Sequence, residues 1–307
     1  MILAAGLSPA WQQILRFDKL RIGQVNRADE AVWCASGKVI NVAVAAQTLG
    51  EKVSLISSVG GLSGDAIQQE ISQMGLQAEW IHTQEATRVC TTLLQVNGPT
   101  TELVENTADT TEAVMADFVD RTRIYANVAN ITVLSGSLPG NAPPDLFARI
   151  MRNTPARFLL DFRGVPLQYC LPFAPFLVKP NRAELEATFG IRLTTQSELL
   201  STMKSLNDGG ATWVVVSNGE EGVWITGDDK AWQLLPPKIT TINPIGCGDS
   251  LAAGIAAELV RHDDVVQAVK FGMGAAAQNA ETLIPARLDR ERSVVLAEQV
   301  QIIELTF

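Results

Sequence analysis

Histidine is almost missing from this chain. His82 and His262 are the only two, too few for an imidazole-based metal centre and poorly suited to a Ser–His–Asp relay. Cysteine is also sparse. Cys34, Cys90, Cys170 and Cys247 are scattered, with no Cys-x-x-Cys pair. That argues against a zinc site and suits a reducing cytoplasm. No uninterrupted apolar stretch reaches the roughly 20 residues of a membrane helix. Residues 1–7 contain no basic side chain and read as a buried strand rather than a secretory leader. Positive charge is in deficit: 24 Lys and Arg face 33 Asp and Glu, a net charge of −9. Neither nucleic acid nor an anionic membrane is therefore the expected partner. Anionic small molecules stay open, because a basic cluster can sit inside an acidic protein. Linkers, repeats and low-complexity segments are absent as well, so a single domain over 1–307 is expected.

What the chain does have is apolar content, 47% of residues against 19% charged, ample for a large core. Short apolar runs alternate with stretches of helical spacing. Strands are expected at 2–5, 53–59, 131–134, 158–161, 176–178 and 212–217. Helices are expected at 38–49, 65–74, 144–153, 182–189, 197–207, 249–261 and 265–280. Continuous apolar strands alternating with helices imply an α/β fold with a mainly parallel sheet covered on both faces. Ligands of such sheets gather at the carboxyl ends of the strands. Two segments break the alternation. Residues 11–17 with 25–34, and 89–96 with 101–104, read as extra strands that can form a small separate sheet.

The most informative segment is Thr241-Ile-Asn-Pro-Ile-Gly-Cys-Gly-Asp249-Ser250. Gly246 and Gly248 let backbone N–H groups approach a ligand closely. The helix that follows presents unpaired N–H donors and a positive dipole end. An anion, usually phosphate, fits there. Gly246, Cys247 and Gly248 thus form a candidate anion hole, and Asp249 adds a carboxylate able to take a hydroxyl proton. The bland alternative is an ordinary helix start with aspartate in its first turn.

Three further segments occur in order upstream: Ser36-Gly-Lys-Val-Ile-Asn41, Ser135-Gly-Ser-Leu-Pro139 and Lys179-Pro-Asn181-Arg-Ala-Glu184. Together with the Asn-Pro-x-Gly-x-Gly-Asp motif they resemble the ribokinase-like (PfkB) family of sugar kinases. The likeness is strongest to its phosphohexose branch, that of 1-phosphofructokinase and tagatose-6-phosphate kinase. It implies a three-layer ribokinase-like domain with a small β-sheet lid, inserted at about 11–35 and 88–105. It also implies ATP with Mg²⁺, a cytoplasmic enzyme and a homodimer formed through the lid.

The resemblance assigns roles residue by residue. Asp249 becomes the base that deprotonates the sugar hydroxyl. Ser217, Gly219 and Gly222, in Ser-Asn-Gly-Glu-Glu-Gly, match a loop beside the nucleotide, though glycines alone suggest only a turn. Asn279 matches a residue near adenine; a solvated helix position is the other reading. Asn181 and Glu184 match an element that holds Mg²⁺ through water. The same pair, three apart, is what a helix capping box requires. Arg27, Lys38 and Arg88 match residues that hold the phosphate already on the sugar, with Arg27 reaching across the dimer. Ser137 would add a hydroxyl to that phosphate. Gly37 and Asn41 would line the sugar, Asn41 bonding a hydroxyl.

Two positions depart from the pattern, both on the sugar side. Gln12 stands where the branch has an aspartate. It lacks the charge and reaches further. Val39 stands where a flexible glycine is usual. A β-branched residue avoids positive φ, so that position must be helical or the backbone must differ. The resulting expectation is ATP-dependent phosphorylation of a phosphorylated ketohexose to a bisphosphate: fructose 1-phosphate, fructose 6-phosphate or tagatose 6-phosphate. Two rivals are a kinase of an unphosphorylated sugar or nucleoside, and a non-catalytic sugar- or nucleotide-sensing protein on the same fold.

Overall fold

The computed structural model describes residues 1–306. Its chain runs β1 (Ile2–Gly6), β2 (Ala10–Phe17), β3 (Glu30–Ser36), α1 (Lys38–Thr48), β4 (Val53–Val59), α2 (Gly61–Gln73), β5 (Gln77–His82), β6 (Val89–Gln95), β7 (Thr100–Val104), α3 (Glu112–Ala126), β8 (Ile131–Ser135), α4 (Leu146–Met151), β9 (Phe158–Asp161), α5 (Val165–Cys170), β10 (Leu177–Val178), α6 (Arg182–Phe189), α7 (Gln196–Asp208), β11 (Trp213–Ser217), β12 (Val223–Gly227), β13 (Lys230–Leu235), α8 (Cys247–Arg261), α9 (Val265–Ala280), α10 (Arg290–Glu298) and β14 (Gln301–Leu305).

Ten strands form the main sheet, in the order β14-β13-β12-β11-β10-β9-β8-β1-β4-β5. From β11 to β5 every pairing is parallel; β12, β13 and β14 are antiparallel. The helices divide between its faces. Residues of α1, α2, α8, α9 and α10 share one apolar core with Ile2 and Ala4, while residues of α3 to α7 share the other with Leu3 and Ala5. Alternate side chains of one strand thus serve opposite cores, as strand geometry requires. The fold is a three-layer α/β domain with a mainly parallel sheet.

A second sheet has four strands in the order β3-β2-β6-β7. The link between its two halves, β2 with β6, is parallel, whereas β2–β3 and β6–β7 are antiparallel. The segment expected as a strand at 25–34 becomes regular only at Glu30. Before that, Asn26 accepts the N–H of Arg21 and donates to the carbonyls of Arg21 and Gln24. Such a local side-chain turn competes with sheet pairing. Val39 sits within α1, wholly buried. The glycine-to-valine change therefore imposes no left-handed backbone. Gly37 carries the positive φ instead, 90°, and a Cβ there would lie 2.7 Å from Ser8 O.

Candidate active site

The site collects at the carboxyl ends of β1, β8, β9 and β10, where α1, α6 and α8 begin. α8 starts at Gly246, whose φ of 82° turns the chain into the helix. The N–H groups of Gly248 and Asp249 lie in its first turn and find no partner within the helix. Ser250 N is the first to close on the helix, donating to Gly246 O at 2.8 Å. Burial pushes the Cys247 thiol up to about 11, so no thiolate competes with an anion at these donors.

Asp249 is buried and faces α1. Asn41 Nδ2 donates to its Oδ2 at 2.8 Å, and Ser36 Oγ donates to Asn41 Oδ1 at 3.1 Å. Burial, helped by the charge of Asp161, pushes Asp249 up to about 6; Lys38, the Asn41 hydrogen bond and Lys179 act the other way. A carboxylate so placed is a stronger base than an ordinary aspartate and still ionised at neutral pH.

Beside it lies a charged group that the motifs did not reveal. Asp161 ends β9 and Lys179 follows β10. Their side chains, almost wholly buried, pair at 3.1 Å. Lys38 Nζ, at the start of α1, lies 3.3 Å from Asp161 and 2.9 Å from Glu184. Burial alone would raise Asp161; Lys179 and then Lys38 outweigh it and hold the carboxyl below its ordinary value. Lys38 is driven upward in turn, its burial outweighed by Asp161, Glu184 and Asp249. Asp161 Oδ2 remains buried without a hydrogen-bond partner. A charged residue closing an apolar strand was the legible signal for both Asp161 and Lys179.

Several expected site residues have partners the motifs did not show. Lys38, expected on the sugar's phosphate, has a long stem that carries its ammonium to Asp161 and Glu184. Asn41 was expected on a sugar hydroxyl, and its amide engages Asp249. Asn279 was expected near adenine or in solvent. It is fully buried. Its Oδ1 accepts from Ser250 Oγ and Ala286 N, and its Nδ2 donates to Ile245 O and Cys247 Sγ. With both ends of the amide engaged, Asn279 braces the anion-hole turn and presents nothing to a base. Arg27 lies exposed in the loop between β2 and β3.

Asn181 and Glu184 do form a capping box. Glu184 N donates to Asn181 Oδ1 at 2.7 Å, and Asn181 N to Glu184 Oε2 at 3.0 Å. Only Glu184 Oε1 faces Lys38. The isolated bridge Asn181–Ser217 brings the 217–222 loop alongside. There Gly219 has φ 52° and open space where a Cβ would stand, while a Cβ on Gly222 would lie 2.2 Å from Leu234 O.

On the lid side, Arg88 reaches back to three carbonyls: Ser8 at 3.1 Å, Pro9 at 3.3 Å and Glu105 at 3.2 Å. It fastens the strands where they cross from main sheet to lid. Three of its five N–H donors are engaged, leaving two for a ligand. A pocket next to it is lined by Thr83, Thr87, Thr107, Asp109 and Thr110. Gln12 is buried on β2, its amide donating to Thr92 Oγ1 at 2.7 Å. Ser137 is exposed in the turn after β8.

Among the described residues no three His, Cys, Asp or Glu side chains are grouped to hold a metal ion by themselves. No helix among them is long and apolar enough to cross a membrane.

The pattern of the pfkB family carbohydrate kinases matches residues 13–284. The 1-phosphofructokinase of Borreliella burgdorferi is 28% identical over 283 residues, 91% of this chain and 92% of that protein. A structure from Thermotoga maritima, described as a possible 1-phosphofructokinase, superposes with a TM-score of 0.91 at 18% identity over 99% of both chains. Phosphofructokinase-2 from Escherichia coli in complex with fructose-6-phosphate gives a TM-score of 0.85 at 23% identity over 97% of both chains.

Proposed function

The chain belongs to the pfkB family of carbohydrate kinases, and from that premise we propose that it transfers the γ-phosphoryl group of ATP to a phosphorylated ketohexose, giving a bisphosphate. Its acceptor is fructose 1-phosphate, fructose 6-phosphate or tagatose 6-phosphate. The observation that carries the reading is the buried Asp249 carboxylate, pushed up to about 6, at the first turn of α8. The 1-phosphofructokinase relative supports the substrate class. So does Arg88, with two donors left beside a polar pocket.

The steps follow from the residues. The sugar hydroxyl gives its proton to Asp249 as its oxygen attacks the γ-phosphorus, and the bond to ADP breaks. Asn41 fixes the carboxylate's orientation. Of the expected anion hole of Gly246, Cys247 and Gly248, the Cys247 N–H already donates to Pro244 O at 3.4 Å. The N–H groups of Gly246, Gly248 and Asp249 receive the negative equatorial oxygens, with Lys179 close by: a Cβ on Gly248 would be 3.8 Å from its Nζ. Lys38 carries positive charge into the same space. Catalysis of this kind is positioning and electrostatics.

Mg²⁺ fits the residues present. Glu184 Oε1, which accepts from Lys38 at 2.9 Å and would have to turn from it, and the unpartnered Asp161 Oδ2 are hard oxygen donors too few to enclose a cation alone, which suits an ion that keeps waters and shares phosphate oxygens. When bound it would neutralise charge on the phosphates. Asn181 would act through water.

A homodimer through the lid is part of the same proposal. The lid exposes Trp33, Leu103 and Val104, and the 18–29 loop exposes Ile22 and Val25. Apolar area of this kind on one element is what an interface covers. The same loop would carry Arg27 to the partner's sugar.

The test is a panel of the three phosphosugars, their unphosphorylated parents and ribose, read by ADP release. Turnover restricted to phosphosugars is expected. Preference for an unphosphorylated sugar, or no turnover at all, would favour one of the rivals.

A further inference from the structure

One segment, residues 281–288, touches both the lid and the anion-hole turn. On the lid side, Ile14, Cys34 and Leu94 form a small buried cluster, and Leu283 and Ile284 pack against it. On the other side the segment braces the turn. Asn243 Nδ2 donates to Leu283 O at 2.8 Å, and Asn243 Oδ1 accepts from Ile245 N at 3.0 Å. Pro285 stands so close to Gly246 that a Cβ on that glycine would lie 2.8 Å from the proline's Cβ. Ala286 donates its N–H to Asn279 at 2.7 Å and holds a φ of 64°, a conformation uncommon outside glycine. The segment is therefore fixed in place by the turn it supports.

A carboxylate and a guanidinium tie this segment to the lid's hinge. Glu70, on α2, uses its two oxygens on different bodies. Oε2 accepts the N–H of Ala35, in the last turn-ward residues of β3, at 2.6 Å. Oε1 accepts from Arg287 at 2.6 Å, and Arg287 also donates to Pro285 O at 3.1 Å. Both side chains are largely shielded, at 23% and 20% exposure, so water weakens the pair less than it would an exposed one. Ser36 follows Ala35 and bonds Asn41, which orients Asp249. Neither Glu70 nor Arg287 reaches the reacting atoms.

We propose that Glu70 and Arg287 are positioning residues that latch lid strand β3 to segment 281–288, so that filling the anion hole and seating the lid are set together. A ligand phosphate at residues 243–248 orders the turn. The turn orders 281–288, and the latch passes that order to β3. Linkage makes the effect reciprocal: a sugar that seats the lid favours the geometry that receives the phosphoryl group. The idea rests on the chain being a nucleotide-using kinase, and does not depend on which sugar it phosphorylates. An ion pair without this role would alter local stability alone.

Hydrogen exchange on the full chain tests it, with Mg²⁺ and the non-hydrolysable ATP analogue AMP-PNP and without sugar. In the wild type, AMP-PNP should slow exchange in peptides covering 31–37 as well as 241–250. In Glu70→Gln and Arg287→Met, protection at 241–250 should remain and protection at 31–37 should fall by about fivefold or more, the usual floor for coupling between sites. Lid protection that persists in both variants overturns the latch. So does its absence in the wild type, and so does an equal loss at both segments, which would mark general loosening. Failure of the phosphosugar reading has a different signature: a wild type inert towards every phosphosugar whose lid is still protected by AMP-PNP.

Discussion

Asn41 Nδ2 donates to Asp249 Oδ2 at 2.8 Å, joining residues 208 positions apart in the sequence. The bond favours the ionised carboxylate and so opposes the effect of burial. It links the helix that begins at the lid's hinge to the group that takes the proton.

Asn41→Ala removes that donor, and Asp249 should then hold its proton to higher pH. The acid limb of the pH profile of kcat/KM, expected near the value of about 6 in the wild type, should move up. Activity should recover as the medium becomes alkaline. If Asn41 served only to bond a sugar hydroxyl, KM would rise and the limb would stay where it is.

Asp249→Asn should lower kcat by roughly 10² or more, since the amide keeps the shape and loses the base. Its stability should carry a pH signature too. The folded protein keeps the Asp249 proton up to about pH 6, while the ordinary value is 3.8. Between those values the folded state binds more protons, so the wild type loses stability as pH rises through about 6. The neutral amide escapes that loss. The variant's unfolding midpoint should therefore exceed the wild type's at pH 8, by a margin that shrinks towards pH 5. A margin independent of pH would show that the buried carboxylate's charge is not the cause.

Gln12→Asp tests the departure on β2. The glutamine amide is anchored on Thr92, and a shorter carboxylate would lose that anchor. If Gln12 meets the sugar, kcat/KM should change unequally among fructose 1-phosphate, fructose 6-phosphate and tagatose 6-phosphate. Mismatched hydrogen bonds in buried sites shift such preferences by about 1–3 kcal/mol. An equal response across the three would remove Gln12 from any part in sugar choice.

The parallel part of the sheet was legible because its strands are short, mainly apolar runs such as Ile2–Gly6 and Trp213–Ser217. The antiparallel margin was not. β14 is mostly exposed and β13 mixed in burial, so neither shows a continuous apolar signal. β5 is half-buried and gives a similarly broken signal. α3 does carry a stripe, Met115, Phe118, Val119, Thr122 and Ala126, but it is interleaved with charged residues, while α10 buries only Ser293, Leu296 and Ala297. In the site, the glycine turn and Asp249 could be read because local chemistry fixes them. The tasks of Asn41, Lys38 and Asn279 could not. Each is decided by a partner far along the chain, and an amide or an ammonium looks the same whichever partner it meets.

The lid's construction bears on how the chain folds. Its two hairpins come from separate insertions, and only the parallel pairing of β2 with β6 unites them. Gln12 and Thr92, which meet there, are 80 residues apart. The main-sheet strands β1 and β4 must first draw those insertions together, because closing so long a loop is favourable only once other contacts hold its ends. The cover of the site is then among the last parts to form. A chain caught short of that point would have its nucleotide-side chemistry assembled with water free to compete for the phosphoryl group.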